Sequence, residues 1–232
     1  MKKNAQCDNQ TCFLCKSCIK EWLPAVAANK KNFSVKKGQV IFSEGDPVTG
    51  IYFVYEGNVK VHKKWGADKE LIIRFANKGA IFGHRVLGKH ATHYPISATA
   101  LEAGIICYID MEFFEATLKV NPQFTYQLML FFADELHEAE NKMRNLAHMP
   151  VKGRVAHALL ALKDQFGINQ EGHIDIELTR QDLASFAGAT YETVFRVVNE
   201  LLQENIVTTN GKKICIVDND KLFALAQEAS LN

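Results

Sequence analysis

Between Phe33 and about Asp110 the apolar positions come in short runs rich in β-branched and aromatic residues. Glycines at 50, 57, 66, 79 and 83 punctuate them. "QVIFSEGD" alternates and then turns, Ile51 to Tyr55 runs into Glu56-Gly57, and "LIIRF" and "GIICYI" continue the series. Short strands at this spacing predict a β sandwich or barrel, with a jelly roll among the options. After Asp110 the period changes. "MEFFEATLKV" predicts a short helix broken at Asn121-Pro122, and a long helix follows from about Gln123 to Met149 until Pro150 ends it. In that long helix Met129, Phe132, Leu136, Ala139, Met143 and Leu146 recur in steps of 3 and 4. This is a heptad seam and predicts a second copy as partner. Phe124, Leu128 and Phe131 form another stripe, suited to the helix's own β domain.

The remaining residues differ in pattern. "VKGRVAHALLALKDQFG" predicts an amphipathic helix, and the alternation of "HIDIEL" predicts a strand. "TRQDLASFAG" predicts a helix stopped at Gly188, with Leu183, Ala184 and Ala187 facing inward. A second helix follows after a tight turn, capped by Thr190, with Val194, Val197, Val198, Leu201 and Leu202 inward. "TTNGKKICIVD" predicts a hairpin turning at Asn210-Gly211, and "NDKLFALAQ" a final helix.

Helix, sharp turn and helix form the layout of a DNA reader, in which the start of the second helix meets base edges. Tyr191, Glu192, Phe195 and Arg196 occupy its outward face. Glu192 can accept from cytosine N4, and Arg196 can grip guanine O6 and N7. The same spacing also suits a surface ion pair worth about 0.3 to 0.5 kcal/mol. The preceding helix and the hairpin favour DNA. Thr179, Arg180 and Gln181 at the first helix's start, Thr190, and Lys212 and Lys213 in the hairpin then become expected phosphate contacts.

Composition narrows the partners. The 232 residues are 47% hydrophobic and 23% charged, ordinary globular values, and the net charge is +1. Any nucleic-acid site must therefore be a local basic patch. No apolar run nears the roughly 18 residues of a membrane helix. "MKKNAQC" lacks the apolar stretch of a secretory signal, so a cytoplasmic location and no membrane partner are expected. An enzyme is not expected. His62 has no second histidine two residues on to form a cupin metal site, and no nucleophile stands beside a base.

On the strength of "TRQDLASFAGATYETVFRVVNELLQENIV" and the order of elements around it, the chain resembles the CRP/FNR family of bacterial transcription regulators over nearly its whole length. The resemblance implies an α+β fold: a cyclic-nucleotide-binding-like β jelly roll, a long dimerisation helix and a C-terminal winged helix-turn-helix. The segments would be 1–22 (cysteine-rich), 23–120 (sensor), 121–149 (dimer helix) and 150–232 (DNA-binding). It implies a homodimer on palindromic double-stranded DNA, with RNA polymerase as a further partner. Glu192 and Arg196 match the family's base-reading pair. Tyr191 and Phe195 fall at its variable reading positions and depart from the commonest residues there.

The family's cyclic-nucleotide branch carries Phe-Gly-Glu and later Arg-Ser/Thr-Ala. Here Phe82-Gly83 is followed by His84, and Ile96 precedes Ser97-Ala98. An apolar residue cannot offset a buried phosphate, so cyclic AMP is not expected, although Arg85 could substitute. His84, His90 and His93 cluster here and could suggest a metal, but they read as ordinary solvent-facing loop histidines. A small molecule in this degenerate pocket is the alternative effector, and a sensor module that does not bind DNA is the alternative function.

Four of the six cysteines lie in "CDNQTCFLCKSC". The FNR-type branch carries such a cluster plus one cysteine in the β domain, holding a [4Fe–4S] cluster on four thiolates. The matching residues are Cys12, Cys15, Cys18 and Cys107, with Cys7 as the alternative fourth ligand. Zinc, a thiol switch and an idle tail remain alternatives. Cys215 reads as core.

Overall fold

The computed structural model describes residues 10–66, 69–88 and 91–227. Cys7 and His90, named above, lie outside them. The chain divides into two compact units between His137 and Glu138.

The first unit opens with a short helix, α1 (Phe13–Ser17), a 3-10 turn at Lys20–Trp22 and α2 (Leu23–Asn29). The strands are β1 (Lys31–Val35), β2 (Val40–Phe42), β3 (Gly50–Glu56), β4 (Val59–Trp65), β5 (Lys69–Ala76), β6 (Ile81–Phe82), β7 (Ser97–Ala100) and β8 (Gly104–Asp110). They form two four-stranded antiparallel sheets, in the orders β1-β8-β3-β6 and β2-β7-β4-β5, the arrangement of a jelly roll. β3 does not alternate. Its first five residues are all buried, because the helix α3 (Met111–Val120) covers the face turned away from the opposite sheet.

The interior is filled by aromatic rings. Phe42 stacks on Tyr94 at 4.1 Å, and Tyr52 on Phe82 at 5.4 Å. The Tyr94 hydroxyl donates to the Gly50 carbonyl (2.7 Å), which makes its burial affordable. Gly50 has to be glycine, since a Cβ there would lie 2.2 Å from the Ile109 carbonyl oxygen.

Asp110 caps α3 by accepting from the Phe113 N–H at 2.9 Å. The long helix α4 (Pro122–His148) starts on a proline, which needs no N–H partner there. Phe124 and Leu128 are buried on its inner side, while Met129, Leu136 and Met143 stand 57 to 61% exposed.

The second unit contains α5 (Val151–Phe166), α6 (Arg180–Ala187), α7 (Tyr191–Gln203), the hairpin β9 (Val207–Asn210) and β10 (Lys213–Ile216), and α8 (Asn219–Gln227). Leu159, Leu183, Val194, Val198, Leu201 and Leu222 supply its core. The strand expected over "HIDIEL" is absent. Gly167 and Gly172 both have positive φ. The Asn169 side chain accepts from the N–H groups of Glu171 and His173, and the Ile176 N–H folds back onto the Ile174 carbonyl. The backbone is thereby curled into a loop, and Ile174 alone of these six residues donates to the neighbouring strand, at Ile214 (2.8 Å).

Candidate nucleic-acid interface and sensor segment

Thr179 begins α6 with a capping box. Its hydroxyl accepts from the Asp182 N–H at 2.9 Å, and the Asp182 carboxylate accepts from the Thr179 N–H at 3.2 Å. Leu183, Ala184 and Ala187 are buried, and Gly188 turns the chain in the left-handed region (φ 65°). Arg154 holds this turn from below, donating to the carbonyls of Leu146 (3.1 Å) and Gly188 (3.3 Å). Sequence reasoning missed Arg154, because nothing local marks a residue whose partners lie on two other elements. Thr190 then caps α7 by accepting from the Thr193 N–H.

Val194, Val197, Val198 and Leu201 turn inward, whereas Tyr191, Glu192, Phe195 and Arg196 are all exposed. Glu192 makes no hydrogen bond or ion pair among the described residues, so the surface pair with Arg196 is not formed. Arg196 instead approaches Glu200 at 3.9 Å, with its side chain 74% exposed. Such a contact contributes little and leaves the guanidinium mobile. In the hairpin Gly211 (φ 61°) makes the turn, and Lys212 is exposed. Lys213 is tied to Glu171 at 2.9 Å, which raises the lysine's pKa and lowers the glutamate's. Arg180 donates to the Gly211 carbonyl at 3.4 Å, joining α6 to the hairpin tip. Gln181 is exposed.

In the first unit, Phe82 ends β6, Gly83 turns the chain, and His84 and Arg85 follow in a 3-10 turn. His84 is not on a solvent face, contrary to expectation. It is 1% exposed, with its ring edge against Phe131 and Phe132 of α4. Its Nε2 lies 3.0 Å from the Glu135 carboxylate, the Arg85 guanidinium 3.2 Å from the same oxygen, and Arg74 Nε 2.6 Å from the other. Burial pushes the Glu135 carboxyl up, but the His84 hydrogen bond and the charges of Arg74 and Arg85 outweigh it and hold it at about 2. Burial lowers the His84 pKa, against the pull of Glu135. His93 is exposed, so His84 and His93 do not share a site.

Glu135 was not foreseen. The available signal was its place in the inward stripe of Leu128 and Phe131, where a carboxylate demands a partner. Ile96, Ser97 and Ala98 are buried in the sheet, and the Ser97 hydroxyl accepts from the Glu44 N–H at 2.9 Å. His62 is likewise buried, hydrogen-bonded to Thr99 (2.9 Å) and beside the Glu70 carboxylate (3.0 Å).

The cysteine segment is docked on the jelly roll. The Phe13 N–H donates to the Gly79 carbonyl (2.8 Å), and a Cβ on Gly79 would lie 2.3 Å from the Thr11 carbonyl oxygen. The Phe13 ring packs on Phe124 and Phe131. Farther along, the Ile19 N–H donates to Asn121, the Trp22 indole donates to Thr117, and its ring stacks on Phe113. Cys12 immediately precedes α1 and Cys15 is buried within it. Cys18 ends it, its thiol pushed up to about 12 by burial and then by neighbouring Cys12. Cys107 sits mid-β8 opposite Asn32 and Phe53, and it lines one small cleft together with Cys12. Asn32 lines that cleft too, and its side-chain oxygen is buried without a hydrogen-bond partner. The donors suit a thiolate-held metal in kind. Among the described residues, however, no three Cys, His, Asp or Glu stand close enough together to hold an ion. A closed four-thiolate site is therefore not formed by them.

A family model described as the cyclic nucleotide-binding domain matches residues 32–121, and one described as the Crp-like helix-turn-helix domain matches residues 153–225. The chain belongs to the CRP/FNR family of transcription regulators. The transcriptional activator protein anr of Pseudomonas aeruginosa is 28% identical over 200 residues, which span 85% of this chain and 81% of that protein. The cAMP-activated global transcriptional regulator CRP of Escherichia coli is 29% identical over 180 residues, spanning 76% and 84%. The solved structure of FixK2 from Bradyrhizobium japonicum is 25% identical, with a TM-score of 0.75 over 84% of this chain and 96% of that one. This CRP/FNR regulator thus joins a jelly-roll sensor domain to a DNA-binding helix-turn-helix, and sequence-specific control of transcription is its function. Identity does not rank its effectors, because a cAMP-activated relative matches as well as anr does.

Proposed function

We propose that this CRP/FNR regulator acts as a homodimer, paired through the exposed Met129, Leu136 and Met143 stripe of α4, on palindromic DNA. Tyr191, Glu192, Phe195 and Arg196 read bases. Thr179, Arg180, Gln181, Thr190, Lys212 and Lys213 meet phosphates, Lys213 by exchanging Glu171 for a phosphate oxygen. The carrying observation is the start of α7: four polar and aromatic side chains stand exposed on a helix whose opposite face is buried. Selection of bound sequences from random duplex DNA tests it. Enrichment of a palindrome with half-sites about 10 to 10.5 bp apart, or a multiple, is expected. Failure to enrich any sequence over bulk duplex would overturn it.

The sensing element is the cysteine segment, and the signal is redox or oxygen. Support comes from its docking through Phe13 and from the cleft that Cys12 shares with Cys107. A cyclic nucleotide is disfavoured. Ile96 stands where a cation is needed, His84 and Arg85 already hold Glu135, and aromatic rings fill the interior. The protein works in the cytoplasm, contacts RNA polymerase and catalyses no reaction. No helix among the described residues is long and apolar enough to cross a membrane.

A further inference from the structure

Two parallel ridges run up the exposed face of α7. One is polar, Glu192 and Arg196. The other, a single residue earlier at each step, is Tyr191 and Phe195, 42% and 49% exposed. Their rings lie side by side, with centroids 6.1 Å apart and planes 17° apart. Each ring limits the other's rotamers, so the pair presents a preformed apolar surface. Burial of that surface is favourable only against an apolar group of a partner. Base edges in the major groove offer one such group, the C5-methyl of thymine.

We propose that Tyr191 and Phe195 are specificity-determining residues that take thymine C5-methyl groups beside the G·C pair read by Glu192 and Arg196. This rests on the proposed placement of α7 in the major groove. Hydrogen bonds from the polar ridge fix the G·C pair. The aromatic ridge then favours a neighbouring thymine over cytosine, which lacks the methyl, and over uracil, which differs by the methyl alone. The 5-methyl of 5-methylcytosine satisfies the same surface.

The probe is a duplex selected by the wild-type protein from random DNA, resynthesised with each half-site thymine in turn replaced by deoxyuridine. At the thymine beside the G·C pair, loss of one buried methyl is expected to weaken binding about fourfold, and about fifteenfold when both half-sites carry the change. Phe195→Ala and Tyr191→Ala should reduce that preference toward unity while keeping the G·C preference. Both side chains are exposed, so thermal melting should match wild type. Wild-type protein that binds the thymine and uracil duplexes equally would overturn the aromatic reading, as would selected half-sites with no thymine beside the G·C pair. If Glu192→Ala still relaxes one base pair in that case, α7 in the groove survives and only the methyl contact falls. If neither change alters preference, the placement of α7 itself is wrong.

Discussion

Glu135→Ala removes the one carboxylate on which Arg74, His84 and Arg85 converge. Arg74 cannot shed its charge, and without the carboxylate it keeps only the Phe75 and Ile81 carbonyls as acceptors, so the deletion leaves a largely buried guanidinium without its counter-charge. Breaking a buried pair in this way costs about 3 to 5 kcal/mol. An independent route gives the same scale. A carboxyl held at about 2 in the fold, against 4.5 ordinarily, stabilises by about 3 kcal/mol when ionised. Because the folded value is depressed, this contribution is complete above about pH 4.5 and fades as pH falls toward 2. Glu135→Gln keeps the shape and one acceptor, so it should lose less than the alanine variant and should flatten the acid limb of the stability profile. Both tryptophans, Trp22 and Trp65, lie in the first unit, so fluorescence during urea unfolding reports that unit. A loss below about 1 kcal/mol for Glu135→Ala, with unchanged urea slope, would refute the reasoning that these charges depend on Glu135.

Lys at both Leu136 and Met143 should give a monomer in sedimentation that binds DNA weakly, since each now stands about 60% exposed on the proposed seam; a dimer would remove the seam. An iron–sulfur site would require Cys12, Cys15, Cys18 and Cys107 to be drawn together from the spacing they have here; anaerobically prepared protein would then absorb broadly near about 400 nm, and Ser at any of the four would bleach it. Colourless protein with bound zinc would replace iron–sulfur by zinc, and colourless metal-free protein with full DNA affinity would remove the segment as a metal sensor. Calorimetry with cyclic AMP should show no binding at physiological concentrations; micromolar binding lost in Arg85→Ala would mean that the phosphate site has been rebuilt.

Elements whose pattern is local were legible in the sequence. Pro122 and Pro150 bracket α4, Gly188 and Thr190 mark the helix-turn-helix, and Asn210-Gly211 marks the hairpin, each through backbone chemistry confined to a few residues. "HIDIEL" misled because its alternation is real, while the glycines that precede it and the Asn169 side chain decide the backbone. His84 misled for a tertiary reason. Its loop looks polar, but Phe131 and Phe132, almost fifty residues on, close over it. The docking of the cysteine segment depends on Gly79 and on Phe13 meeting Phe124 and Phe131. Neither spacing nor composition carries contacts of that range.

The claim that α7 reads bases is tested most directly by comparing Glu192→Ala with Lys212→Ala on a selected duplex and on its single-base-pair variants. Glu192→Ala is predicted to cost about 1 to 3 kcal/mol per half-site and to erase discrimination at one base pair. Lys212→Ala is predicted to weaken every duplex alike and to lower the salt slope by about one. Equal weakening of all sequences by Glu192→Ala would contradict the account.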